Sequence, residues 1–305
     1  MMGQEVTVRG HLPGCEVRES VLTNGPATGA RQVEMRVEGG IDLRISPDRG
    51  FDIAQAWWRG VPIAWSDPSR EALPTPNVSG VEWLRSFAGG LLTTCGLRHV
   101  GQPRNGHGLH GRFSHQRAEV LGRWETSLDG VPAVAATARI SEPGSFGCLL
   151  ELERTVSTRA GTGAVEVRDV VTNSGEVREP LELLYHFNFP FRNGRPPEVL
   201  LDGEMVTDDL GGVEETIELE IQKNSTIAIE LRTPASGTVL ELSWESTVLR
   251  YLHIWVYPGA SNRGVLAVEP STVPMLKAHA NEDSSLHLKP GDRTEIALTL
   301  RAHEQ

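Results

Sequence analysis

The chain has 305 residues, a formal net charge of −11 at pH 7 and a pI near 5.4. That balance argues against nucleic acid or an anionic membrane as its partner. Cys15, Cys95 and Cys148 lie far apart with no CxxC, which excludes a thiolate metal finger and fits a reducing compartment.

No uncharged apolar run is long enough to cross a bilayer, and the first residues lack the apolar core of a secretory signal. A soluble, cytoplasmic protein is expected. Its 32 glycines and 19 prolines cut the chain into short pieces whose apolar residues mostly alternate. Leu73–Ser79, with Pro74 and Pro76, reads as an exposed loop. Val81–Phe87 reads as a short helical turn that Gly89-Gly90 stops. Val165, Val167 and Val171 share one face of a run ending in the turn Asn173-Ser174-Gly175. Leu181, Leu183, Tyr185, Phe187 and Phe189 alternate with Glu182, Leu184, His186 and Asn188 over a predicted strand, Leu181–Pro190. Leu249, Tyr251, His253, Trp255 and Tyr257 alternate with Arg250, Leu252, Ile254 and Val256. After the turn Lys289–Asp292, Ile296, Leu298 and Leu300 alternate with polar residues. Many short strands separated by turns predict an all-β sandwich or barrel, as a single domain over residues 1–305.

Side chains alternate across a strand, so His186 and Asn188 share the face opposite Tyr185, Phe187 and Phe189. The aromatic face is expected in the core and the His/Asn face in a groove. In Val265–Pro270, Glu269 shares its face with Val265 and Ala267, whose small size leaves room for a ligand. Pro270 is expected to end the ladder just after it. A carboxylate in an apolar setting has a raised pKa and makes a usable base near neutral pH. Tyr251, His253, Trp255 and Tyr257 offer rings on which a sugar could stack, with Trp255 the groove residue; core packing is the plainer account of such a face.

Three segments resemble the galactose mutarotase (aldose 1-epimerase) superfamily: Asn105–Gly111 (NGHGLHG), Tyr185–Asn188 (YHFN) and Val268–Pro270 (VEP). Pro47–Ile53 (PDRGFDI) and Phe87–Gly96 (FAGGLLTTCG) resemble its uncharacterised aldose 1-epimerase-like branch. The resemblance implies a large antiparallel β-supersandwich, with Glu269 as general base, His186 as general acid and His110 binding substrate. It implies a small-molecule sugar as partner, no cofactor, and a monomer or homodimer. The well-studied mutarotases carry an Asn-Arg pair near Phe87–Gly96 that this chain lacks. Arg49, Arg98 and Arg112 are the candidates to supply a guanidinium, with Arg49, Arg112 and Asn188 counted among the expected substrate contacts.

The expected reaction is interconversion of the α and β anomers of a free aldose. Three alternatives stay open. The fold could carry a non-catalytic sugar-binding protein. The arginines could clamp an anionic sugar, or pair with Asp48 and Asp52 instead. His107, His110, His115 and Glu119 could bind a metal, although His107 and His110 point to opposite faces of an extended strand.

Overall fold

The computed structural model describes residues 12–75, 79–192, 195–207, 214–222, 226–233, 237–245, 247–259, 263–275 and 286–304. Two large sheets, with every strand pair antiparallel, dominate these residues. In the ten-stranded sheet the order is Cys15–Val21, Arg31–Val37, Ile41–Ser46, Asp52–Trp58, Leu92–Cys95, Leu184–Arg192, Arg263–Ser271, Tyr251–Tyr257 and Glu215–Glu220, with Val61–Pro62 beside Asp52–Trp58. The nine-stranded sheet is built around Arg293–Glu304, Ala164–Asn173, Leu149–Arg159 and Val131–Pro143. The predicted all-β supersandwich is what the chain forms.

The core lies between the two sheets, and the alternating residues fill it. Val165, Val167, Val171, Ile296, Leu298 and Leu300 come from one sheet, and Tyr185, Phe187, Phe189, Leu252, Ile254 and Val256 from the other. The helical turn spans Trp83–Ser86. Of the expected loop Leu73–Ser79, residues 76–78 lie outside the described residues.

Two local expectations need correction. Leu181–Pro190 is not one strand: Leu181 pairs with Leu286 in a two-stranded sheet, and the strand of the large sheet starts at Leu184. Leu181, Leu183 and Tyr185 are all buried, so the hydrophobic alternation runs straight through the break. The ladder also does not stop at Pro270, because Ser271 pairs with both Leu184 and Tyr251. What Pro270 does is local. Pairing to the Leu184–Arg192 strand holds at Leu184–Ser271 and again from Phe187–Val268, and the interval contains His186 and Glu269. Proline has no N–H to give there.

A charged network crosses the core. Asp169 takes a core-facing position in the row Val165, Val167, Asp169, Val171, and Arg154 takes one on the next strand. The Arg154 guanidinium donates to both Asp169 oxygens (2.9 and 2.7 Å), to Asp52 (3.1 Å) and to Thr94 (2.9 Å). Tyr185 donates its hydroxyl proton to Asp169 at 2.7 Å, so the two sheets are joined at the strand that carries His186. Removing one member of such a buried set strands its partners' charge. Arg154→Met is expected to lower unfolding stability by about 3–5 kcal/mol in chemical denaturation. Arg139→Met, which breaks a half-exposed pair with Glu153, is expected to cost less than about 1 kcal/mol.

Candidate functional site

Tyr185, Phe187, Phe189 and Phe191 point into the core from the Leu184–Arg192 strand, which sends His186 and Asn188 to the opposite face. Register then builds a polar row across the sheet. Thr93 pairs with His186; Glu269 follows on the next strand; His253 pairs with Glu269, and Glu218 with His253. His186 Nε2 lies 3.2 Å from Glu269 Oε1, with both side chains buried. One row along, Asn188 and Trp255 each pair with Ala267.

Other segments close over this face. His110 has a left-handed backbone (φ 58°). Its N–H donates to the Gly101 carbonyl, and its own carbonyl accepts from Gly96. That conformation is uncommon for a residue with a side chain, and it turns the imidazole over the sheet. Its ring lies 4.7 Å from that of Trp83 and 6.3 Å from that of His186. Phe87 packs 5.1 Å from His186, and Trp255 meets it edge-on at 5.9 Å. Trp83 and Phe87 stack at 4.5 Å and join Cys95, Val100, Leu109, Leu184 and Val273 in an apolar cluster separate from the main core. Tyr257, largely exposed, stacks parallel to Trp255 at the outer edge.

This dry wall sets the electrostatics. Burial pushes the Glu269 carboxyl up to about 8. Burial, with His110 nearby, pulls His186 down to about 3, and burial does the same to His110. All three groups are therefore neutral at pH 7, with His186 Nε2 and Glu269 Oε1 in contact at 3.2 Å. Asn188 spends its amide protons on the carbonyls of Gly90 and His186, both at 2.9 Å, and is fully buried.

The expected arginines stand elsewhere. Arg49 reaches the back of the same wall, donating to the carbonyl of Ser86, the residue before Phe87, at 2.6 Å. It lines a separate cavity of about 50 Å³ with Asp48, Asp52 and Thr93. Arg112 donates to the Gly106 carbonyl in its own loop, and Arg98 is buried against Glu142 and Glu179. The alternative metal ligands are scattered. His107 packs on His99, His110 on Trp83, and His115 bonds Ser86, while Glu119 pairs with Arg139. Among the described residues, no three His, Cys, Asp or Glu side chains are placed to hold a metal ion.

Glu218 and Trp83 were not expected in this neighbourhood; His253 was expected only as one ring of the Tyr251–Tyr257 face, and Phe87 only as part of the Phe87–Gly96 motif. His253 had a signal, since it shares its strand face with Trp255. Glu218 sits among other glutamates, and Trp83 belongs to a segment that showed only a helical turn.

A profile of the family described as "Domain of unknown function (DUF4432)" matches residues 27–193, more than half of the chain. A search of curated proteins finds no significant match. Among solved structures, a candidate aldose 1-epimerase from Klebsiella pneumoniae superposes with a TM-score of 0.79 at 18% identity, covering 94% of this chain and 83% of the other. A galactose mutarotase-like protein from Clostridium acetobutylicum gives 0.63 at 13% identity, covering 96% and 99%. A candidate mutarotase, YeaD, from Salmonella typhimurium gives 0.62 at 10% identity, covering 99% and 97%. At such identities the likeness establishes the fold. The chain thus belongs to the family described as domain of unknown function DUF4432 and has a galactose mutarotase-like fold.

Proposed function

We propose that this protein is a cofactor-independent aldose 1-epimerase acting on a free sugar, with Glu269 and His186 as its proton-transfer pair. The observation that carries this reading is the 3.2 Å contact between His186 Nε2 and Glu269 Oε1, buried beside the rings of Phe87 and Trp255. A carboxyl and an imidazole sharing one proton are what ring opening of a hemiacetal needs.

As the sugar displaces their direct contact, its hydroxyls resolvate the pair and the shared proton passes to His186. The Glu269 carboxylate then takes the proton of the C1 hydroxyl while His186 gives its own to the ring oxygen. The bond between C1 and the ring oxygen breaks, leaving an aldehyde and a C5 hydroxyl. Rotation about C1–C2 presents the other carbonyl face, and the reverse transfers close the ring. His110, above His186, would bond the ring oxygen or a neighbouring hydroxyl. Trp255 and Tyr257 offer stacked rings to the C–H face of a sugar.

Anomer exchange of a panel of aldoses, followed by NMR saturation transfer, tests the reading. Wild type is expected to accelerate exchange of at least one sugar, with Glu269→Gln and His186→Asn each slower by about 10²–10⁴-fold. Binding without acceleration in wild type would mean a sugar-binding protein instead.

The pair works only while it holds one proton. Protonation of His186 at about 3 adds a second, and ionisation of Glu269 at about 8 removes the only one. The rate constant kcat/KM is therefore expected to be flat between roughly pH 5 and 7 and to fall tenfold per unit well above about 8. A profile that rises through pH 8 would contradict the shared-proton account.

A further inference from the structure

Beyond Glu269, the polar row continues into a second histidine–glutamate pair. His253 faces Glu269 in register, and its Nε2 lies 3.2 Å from Glu218 Oε2, with exposures of 0% and 7% for the two side chains. The same Glu218 oxygen accepts the N–H of Met275 at 2.6 Å. One carboxylate thus holds both the imidazole that faces Glu269 and the segment that leaves the Glu269 strand.

This arrangement is expensive for a sheet that could have used apolar side chains at the same positions. With Glu218 ionised, its oxygens only accept hydrogen bonds, and the Nε2 of His253 then carries the proton and its ring orientation is fixed. The ring also lies against the main chain of Glu269. Among the described residues, the titratable groups around Glu269 are His186 and Cys95 on one side, His253 and Glu218 on the other, and His110 above. Glu218 and His253 take no proton-transfer part in the proposed reaction.

We propose that Glu218 and His253 are a positioning pair for Glu269, holding its carboxyl turned toward His186 and governing how readily it releases its proton. Glu218 anchors His253, and His253 fills the flank of Glu269 away from His186. The carboxyl is left with one productive direction. The kinetic part of this inference rests on the epimerase reading; the geometric part does not.

The test combines nitrogen-15 NMR of histidine-labelled protein with kinetics on Glu218→Gln and His253→Gln. In wild type, His253 is expected as a single Nε2–H tautomer and His186 with an unprotonated, hydrogen-bonded Nε2. Glu218→Gln is expected to abolish the single tautomer of His253 and to shift the His186 Nε2 signal, which reports its bond to Glu269. Turnover is expected to fall roughly tenfold or more with KM within about twofold, as for residues that orient another functional group. The falling limb of the pH profile should move, since the variant changes what lies on the far side of Glu269. A residue that only supports the fold would lower the melting temperature and leave that limb in place.

The proposal is overturned by a mixed-tautomer His253 in wild type, a measurement that needs no variant. It is also overturned by a folded Glu218→Gln or His253→Gln protein with an unchanged His186 signal. If wild type accelerates no sugar, the epimerase reading fails while the tautomer and His186 signals still decide the positioning role.

Discussion

A carboxyl and an imidazole closed off from water tolerate each other when they hold a single proton between them. Glu269 and His186 meet that condition 3.2 Å apart, and much of the surrounding structure maintains it. The pleat sends Tyr185 and Phe187 into the core and leaves His186 on the other face. Register brings Glu269 alongside, in the interval where Pro270 contributes no ladder bond. Trp83, Phe87 and Trp255 keep water from both groups, which raises one pKa and lowers the other.

The ten-stranded sheet carries polar networks on both faces, back to back. On the core side, Arg154 joins Asp169, Asp52 and Thr94, with Tyr185 bonded to Asp169. On the outer side, the row runs from His186 through Glu269 and His253 to Glu218. Tyr185 and His186 are consecutive, so the strand is pinned from behind at the residue next to the one that meets Glu269. A buried ion pair is a poor source of net stability, but it is a strict determinant of where two strands sit. Here that placement serves the pair on the other face.

The sheets were legible because their strands alternate cleanly. The faces of Val165–Val171 and Ile296–Leu300 followed from parity alone, whereas the Tyr251–Tyr257 rings, for which core packing was the plainer account, lie opposite the core face of Leu252, Ile254 and Val256. Parity also set His186 apart from its aromatic neighbours, and Glu269 with Ala267. It could not show that these two strands are neighbours, since that contact joins residues far apart in the chain and depends on register. The break at Glu182–Leu183 escaped notice because the buried alternation continues across it. Asp169 stood in a valine row without any sign of its partner, as Arg154 lies on the preceding strand. The arginines were misleading for a related reason. Arg49 and Arg98 sit in distinctive motifs, yet Arg49 donates to the backbone carbonyls of Ala72 and Ser86, and Arg98 pairs with Glu142 and Glu179, far along the chain.

The central claim is that burial keeps the shared proton on Glu269 in the ligand-free protein. It is tested most directly by the carbon-13 chemical shift of the Glu269 carboxyl as a function of pH, assigned by comparison with Glu269→Gln. The account predicts a midpoint of about 8. A carboxyl that titrates at the ordinary value of about 4.5 would contradict it.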